Sequence, residues 1–342
     1  MSLGSGKIAI VGATGAVGAE LIQLLHDEGV EPDRIVALAS ARSAGTSVVY
    51  GDASITVSTL DDADPSACAL VFLAASSGVA RAWAPRFVDG GALVVDNSSA
   101  FRMDPNVPLV VPETNADAIG DARLIANPNC STIIMLVPAT PLRRRFGCRK
   151  LIVSTYQAVS GAGAPAMEEL RSQTERVLSG DEASPELFAE PCAFNVFSHD
   201  TPVDADTGLN VEEQKMIDET RKMWGDPEVD VCPTCIRVPV MRAHAESIHM
   251  TLAEPATEAE VRETLDAALG LDLLDDRTGN MFPTSLKASG RHNVLVGRVR
   301  PDPATRDGDR YLAYQMFVAG DQILKGAALN ALQIARLAIS RS

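Results

Sequence analysis

Short apolar runs separated by helical patterns set the plan of the first part of the chain. Lys7-Ile8-Ala9-Ile10-Val11 reads as a buried strand, and the spacing of Leu21, Ile22, Leu24 and Leu25 reads as a helix. Apolar runs at Arg34–Ala39, Leu70–Leu73 and Ala92–Val95 continue the alternation, with a helical segment roughly from Gly78 to Val88. Alternating strand and helix predicts a mostly parallel sheet covered on both faces. Leu124-Ile125-Ala126 then reads as a strand end, and Ile133–Val137 belongs to a helix starting near Ser131. Beyond it the character changes. Leu151–Val159 is β-rich and ends in Ser160-Gly161-Ala162-Gly163, and Asn210 caps a helix from Val211 to Trp224. Strands are expected over Cys235–Val240, Glu246–Leu252, Val294–Val299 and Tyr311–Val318, with a last helix from about Ile323 to Ile339. Several strands with few helices between them predict a mainly antiparallel sheet.

The first strand runs straight into Gly12-Ala13-Thr14-Gly15-Ala16-Val17-Gly18. Strand, glycine turn and helix form the setting of a dinucleotide site, with the pyrophosphate on the helix N-terminus. Gly12, Thr14, Gly15, Ala16, Val17 and Gly18 are its candidate cofactor residues. The reading is therefore α/β: a Rossmann-type parallel-sheet domain over 1–128 and 325–342, and an α+β domain with a mainly antiparallel sheet over 129–324. An NAD site usually ends its second strand in an acidic residue that holds the ribose 2′-hydroxyl. Here that strand ends in Ser40-Ala41-Arg42-Ser43. The guanidinium of Arg42 between Ser40 and Ser43 suits a 2′-phosphate, which points to NADP(H); the alternative is a solvated surface arginine. The strand ending at Val95 delivers Arg102 beyond a carboxyl edge, where ligands bind in open α/β sheets.

Charge narrows the partners. A net charge of −15 argues against nucleic acid and anionic membranes, and obliges any anionic substrate to find a local basic cluster. No apolar stretch of about 18 residues marks a membrane span, and Met1 to Lys7 lacks the apolar core of a secretory signal. Six scattered cysteines do not make a disulfide scaffold, so a reducing cytoplasm is expected.

The candidate chemistry lies in Asn127-Pro128-Asn129-Cys130-Ser131-Thr132. A thiol at a strand-to-helix junction meets unpaired N–H groups and the positive end of the helix dipole, both of which favour thiolate. The competing reading is a small buried hydrophobe. Cys232-Pro-Thr-Cys235 precedes an expected strand rather than opening a helix and lacks companion ligands, so it reads as structural thiols. Period-two alternation puts His244 and His249 on opposite faces of a strand, against a metal pair; no metal site is expected.

Taken in order, Gly-Ala-Thr-Gly-Ala-Val-Gly at 12–18, Ser-Ala-Arg-Ser-Ala-Gly at 40–45, Asn-Pro-Asn-Cys-Ser-Thr at 127–132, Gln157 with Ser-Gly-Ala-Gly, Glu-Glu-Gln-Lys at 212–215 and Arg237 followed by His244 closely resemble the aspartate-β-semialdehyde dehydrogenase family. The resemblance implies NADPH-dependent reduction of L-aspartyl-β-phosphate to L-aspartate-β-semialdehyde through a cysteine thioester, on the route to lysine, threonine and methionine, in a homodimer. It implies that Cys130 is the nucleophile, His244 the general acid/base, and Gln157 a residue positioning thiol and substrate. Asn129 and nearby amides would hold the oxyanion. Arg102 and Lys215 would hold phosphate, Arg237 the substrate α-carboxylate, and Glu213 its ammonium. Gly161 and Asn330 would border the cofactor. Glu213 also fits a capping box with Asn210, and it lies about 200° round the helix from Lys215. The small residues of Gly326–Asn330 equally suit close helix packing.

Two rival enzymes share parts of the pattern. N-acetyl-γ-glutamyl-phosphate reductase runs the same chemistry, but its cysteine sits in Pro-Gly-Cys-Tyr, not Pro-Asn-Cys-Ser. An epimerase-like enzyme needs Tyr-x-x-x-Lys, and tyrosines 50, 156, 311 and 314 are followed four residues on by Ser54, Ser160, Gln315 and Val318. An inactive NADP-binding relative would be expected to lose Cys130 or His244.

Overall fold

A computed structural model describes residues 3–341. Met1, Ser2 and Ser342, which the sequence reading included in the first domain and, for the first two, in the N-terminus without a signal, lie outside the described residues. The chain divides into two compact units, one running to Pro128 and resuming at Ala327, the other spanning Asn129–Gly326. The second crossing falls at 326/327 rather than 324/325, inside a π-helical turn over Leu324–Ala328. That turn also shortens the expected last helix to Leu329–Arg341. Among the described residues no helix is long and apolar enough to cross a membrane.

In the first unit six parallel strands lie in the order Ser58–Thr59, Ile35–Ala39, Lys7–Val11, Cys68–Leu73, Leu93–Asp96 and Leu124–Ala126. From Lys7–Val11 the chain builds outward first to one side and then to the other, so the strand order reverses beside that strand. Such a switch point is where open sheets bind ligands. Gly12 sits at its carboxyl end with φ +86°, and a Cβ there would lie 2.2 Å from the carbonyl oxygen of Ala74. Ile8, Ile10, Leu21 and Leu25 are fully buried; each such side chain contributes on the order of 1.5–3 kcal/mol. They pin the helix Ala16–Asp27 to the strand that precedes it.

The second unit holds an eight-stranded sheet. Its order is Phe197–Ser198, Asp230–Arg237, Lys150–Gln157, His244–Ala256, Arg310–Gly320, Val294–Pro301 and Leu271–Leu273, with Arg306–Asp307 alongside Arg310–Gly320. Antiparallel pairing predominates, but Asp230–Arg237 runs parallel to Lys150–Gln157, and Leu271–Leu273 parallel to Val294–Pro301. The first parallel pair follows from its crossover, which carries the helices Ala164–Leu178 and Val211–Trp224.

Two strand starts that differ from the sequence reading bear on the site. Asp230–Arg237 starts earlier than Cys235 because Pro233 does not break it. Phe197–Ser198 pairs only with Ile236 and Arg237, so at Pro233 the strand is an open edge where no N–H is missed. Cys232 and Cys235 therefore lie within the strand, three residues apart on opposite faces, one exposed and one buried. They cannot act as a dithiol pair. The strand expected from Glu246 begins at His244, which brings that histidine into the sheet.

The buried face of this sheet carries Arg237, Gln157 and His244 near the ends of three adjacent strands. The helices Cys130–Phe146 and Val211–Trp224 cover that face, tied together by a hydrogen bond from Trp224 Nε1 to Thr140 Oγ1 at 3.1 Å. The opposite face leaves Ile152 and Cys232 exposed.

A Cβ on Gly18 would stand 2.2 Å from the carbonyl oxygen of Gly12. Gly18→Ala must push the first helix off its strand, at a loss of about 1–3 kcal/mol. A urea midpoint equal to that of the unsubstituted chain would contradict this packing.

Candidate active site

The helix Cys130–Phe146 begins where Pro128 can no longer extend the strand, and Asn129 is its N-cap. Asn129 Oδ1 accepts the backbone N–H groups of Ser131 at 3.0 Å and Thr132 at 3.2 Å, fixing Cys130 as the first helical residue. Its other groups are engaged too. Its backbone N–H donates to Glu219 Oε2 at 2.6 Å and its Nδ2 donates to Glu212 Oε1 at 2.7 Å. The oxyanion donors expected from the sequence, Asn129 and the first amides after Cys130, are thus largely committed to the cap.

Glu212 is the group that gathers this corner. It accepts from Gln157 Nε2 at 3.0 Å and from Lys215 Nζ at 3.1 Å, as well as from Asn129. Burial pushes its carboxyl up, but Lys215, His199 and the bonds from Asn129 and Gln157 together outweigh that and hold it at about 2. Glu213, named from the sequence for the substrate ammonium, is occupied otherwise. Its oxygens accept the backbone N–H groups of Asn210 and Cys235, both at 2.9 Å, closing the capping box of Val211–Trp224. The correction was readable in the spacing: Glu212 and Lys215 are i and i+3, neighbours on one helical face, whereas Glu213 and Lys215 point apart.

Gln157 Nε2 also donates to Ser131 Oγ at 2.7 Å, linking the strand end to the residue after the thiol. Cys130 Sγ lies 3.5 Å from His244 Nε2, and His244 Nδ1 accepts the N–H of Ala158 at 3.0 Å. Burial, reinforced by the nearby Arg237, pushes the His244 imidazole down to about 3. Arg237 is buried, donates from Nε to Asp200 Oδ1 at 2.9 Å, and lies over the Phe188 ring at 5.3 Å. Asp200 and Phe188 escaped the sequence reading, since no spacing links them to Arg237. A Cβ at Gly161 would lie 3.5 Å from both Arg237 Nη1 and His244 Nε2. That places Gly161, expected to border the cofactor, against two buried side chains of its own unit.

The first unit carries the remaining candidates. Gly15 caps the helix Ala16–Asp27 without a side-chain hydrogen bond, so no side chain covers the N–H groups of its first turn, and no acid stands there. Thr14 and Gly15 are exposed at the turn. These features fit a dinucleotide pyrophosphate. Arg42 is exposed in a short turn over Ala41–Ser43 and has no ion pair among the described residues. Arg102 is buried, with Nε on the carbonyl oxygen of Ser98 at 3.1 Å and an Nη on that of Asn97 at 2.9 Å. Asn330 departs from its expected cofactor contact. It is fully buried, and its Nδ2 donates to Val110 O at 3.0 Å and Asn127 Oδ1 at 2.7 Å, a role in packing the last helix.

Two family models match, one described as "Semialdehyde dehydrogenase, NAD binding domain" over residues 7–122, the other as "Semialdehyde dehydrogenase, dimerisation domain" over 140–325. The aspartate-semialdehyde dehydrogenase of Synechocystis is 41% identical over 336 residues, covering 98% of each chain. The chain belongs to the aspartate-semialdehyde dehydrogenase family. Among solved structures, aspartate semialdehyde dehydrogenase II from Vibrio cholerae, complexed with ASA, aligns with a TM-score of 0.93 at 37% identity, over 98% of this chain and 99% of that one. The Candida albicans aspartate semialdehyde dehydrogenase, solved with NADP, aligns at 0.73 and 25% identity over 97% and 98%. Neither family model reaches residues 123–139. The aspartate-semialdehyde dehydrogenase relatives, which match over nearly the whole chain, carry the likeness through Cys130.

The different surroundings of Glu212 and Glu213 can be checked directly. Glu213→Ala should lower stability by about 1 kcal/mol through its cap and leave the KM for semialdehyde near normal. Glu212→Gln should raise that KM by about tenfold or more, the scale of a lost charge-assisted hydrogen bond. The folded pKa of Glu212, about 2, lies below its ordinary 4.5. Its stabilisation is therefore complete above 4.5 and lost as pH falls towards 2. Urea midpoints across that window should fall less steeply in Glu212→Gln than in the unsubstituted chain.

Proposed function

We propose that the chain reduces L-aspartyl-β-phosphate to L-aspartate-β-semialdehyde with NADPH, releasing phosphate, in the synthesis of lysine, threonine and methionine. The observation that carries the reading is Cys130 at a capped helix start, with its sulfur 3.5 Å from His244 and Arg237 close to the same imidazole. The family relationship favours this reaction over that of N-acetyl-γ-glutamyl-phosphate reductase. With Cys130 and His244 both in place, nothing favours an inactive relative.

In this reading the Cys130 thiolate attacks the acyl carbon and forms a thioester. Arg237, anchored through Nε by Asp200, turns its Nη edge to the α-carboxylate, where bidentate pairing orients as well as attracts. Glu212 receives the ammonium. Lys215 and Arg102 neutralise the leaving phosphate, and Gln157 holds Ser131 and hence the helix start. When bound, the reduced nicotinamide supplies the hydride that converts the thioester to aldehyde. The turn Gly12–Gly18 would hold its pyrophosphate, and Arg42 with Ser40 and Ser43 the 2′-phosphate. The Candida relative's NADP supports that preference, as does the lack of an acid after the Ile35–Ala39 strand.

We read the second unit's open sheet face, with Ile152 and Cys232 exposed, as the surface that pairs two copies. The dimerisation-domain description of the matching model supports this. The cytoplasm is the compartment that suits six cysteines with no disulfide among the described residues.

The direct test is reduction of NADP⁺ by aspartate semialdehyde, with and without phosphate. Turnover should require phosphate. Cys130→Ala should abolish it and leave NADP binding unchanged; substantial residual turnover would remove Cys130 from the role. Arg42→Asp should cut the preference for NADP over NAD by about tenfold or more, the scale of one lost charge-assisted contact. An unaltered kcat/KM ratio would reject the 2′-phosphate assignment.

A further inference from the structure

The strand Leu93–Asp96 ends on a carboxylate that the reaction does not use. Asp96 is fully buried. Its oxygens accept the backbone N–H and the hydroxyl of Ser98, both at 2.9 Å, and among the described residues it makes no ion pair. A buried acid held only by neutral donors is costly. Burial pushes its carboxyl up, and the Ser98 bonds and the charges of Arg102 and Arg81 offset that only in part. An asparagine oxygen would accept the Ser98 N–H as well, so that bond alone does not call for a charge.

The bonds beyond Asp96 lead towards Arg102. Ser98 Oγ, while donating to Asp96, accepts the N–H of Ala100 at 3.1 Å. Two side-chain turns in succession, Asp96 to Ser98 and Ser98 to Ala100, thus shape this loop in place of regular structure. They fix the Ser98 carbonyl, whose oxygen accepts Arg102 Nε at 3.1 Å. Arg102 Nη2 reaches the carbonyl oxygen of Asn97 at 2.9 Å. Asn97 is tied down as well. Its N–H and Nδ2 donate to Leu73 O at 2.9 and 3.2 Å, and its Oδ1 accepts Asn127 Nδ2 at 3.0 Å. Both carbonyls that hold the guanidinium therefore belong to clamped backbone, and the clamp on Ser98 is Asp96.

We propose that Asp96 is a positioning residue for Arg102: through Ser98 it fixes one of the two carbonyls that orient the guanidinium, and its charge steadies that buried cation for phosphate. The proposal rests on the reaction assigned above, in which Arg102 neutralises the leaving phosphate. Direction matters here as much as attraction. A guanidinium presents its N–H groups in one plane, so a carbonyl that turns away tilts the whole fork against the oxyanion it has to meet. Asp96, with both oxygens engaged by Ser98, acts on phosphate only through Arg102.

The test has two arms, both on the intact protein. In the first, NMR of ¹⁵N-arginine-labelled protein without substrate follows the Nε–H of Arg102, identified as the signal lost in Arg102→Lys. Its exchange with solvent should be about tenfold faster in Asp96→Asn than in the unsubstituted chain, the scale of one lost charge-assisted hydrogen bond. Equal rates would overturn the proposal. In the second, NADP⁺ reduction by aspartate semialdehyde is measured across phosphate concentrations. Asp96→Asn should raise the KM for phosphate by about tenfold and change kcat far less. In an Arg102→Lys background the same substitution should make no further difference. An unmoved phosphate KM, or the same rise in both backgrounds, would leave Asp96 a structural residue and defeat the proposal. Should Asp96→Asn misfold, Ser98→Ala, which removes one of the two bonds, carries both arms. A chain without phosphate-dependent turnover defeats the assigned reaction, and exchange at Arg102 then still decides whether Asp96 positions it.

Discussion

The second unit's site depends on a single side-chain amide. Asn129 closes the start of the Cys130–Phe146 helix with its side-chain oxygen and reaches the Val211–Trp224 helix twice, through its side-chain Nδ2 on Glu212 and its backbone N–H on Glu219. Glu212, Lys215, Met216 and Glu219 fall at i, i+3, i+4 and i+7, one face of that helix, and all but Lys215 are buried. A cap usually secures one helix end. Here the same group joins two helices at the residue next to the sulfur, so the position of Cys130 is set by buried, charge-assisted hydrogen bonds rather than by apolar packing, which tolerates sliding. The link is demanding, because removing any one partner leaves a buried polar group without its bond.

Such a network also answers how a chain of net charge −15 accommodates an anion. Long-range potential works against a phosphorylated, carboxylated substrate; short-range pairing has to work for it. In the proposed reaction Arg237 and Lys215 would meet that need, and both are already held by carboxylates, Arg237 by Asp200 and Lys215 by Glu212. Each acid takes part of the cation's hydrogen-bonding capacity and fixes its direction, leaving the remaining N–H groups pre-aimed. Side-chain entropy is then lost on folding rather than on binding, which favours affinity.

Much of this was legible in the sequence because strong local signals coincide with function. The glycine turn must follow a strand and precede a helix, and it does. Asn before Cys before an apolar run is a cap signal whatever else it does. What stayed hidden depends on partners distant in sequence. Glu213 was legible as a capping-box partner, but the amide of Cys235 that its carboxylate also accepts was not. The strand expected from Cys235 starts at Asp230 and runs through Pro233, and nothing in the sequence says which edge of a strand is unpaired. Asn330, in a run of small residues, gave no sign that Val110 and Asn127 would take its amide. Asp200 and Phe188 could not have been assigned to Arg237 by any spacing.

Room for a substrate in so crowded a corner comes from what is missing at two glycines. At Gly326 a Cβ would stand 3.0 Å from that of Cys130, so a larger residue would displace the thiol itself. At Gly161 it would come within 3.5 Å of Arg237 Nη1 and His244 Nε2, two groups that one small substrate would have to reach together in the proposed reaction. Gly326 lies in a π-helical turn, a local widening that often marks functional sites, and Gly161 in a tight 3-10 turn at a strand end. Irregular backbone at both places lets main chain line the site where a regular element would put side chains. In the proposed reaction the two glycines would act as steric boundaries of the substrate space, where the volume they leave open matters more than their conformational freedom.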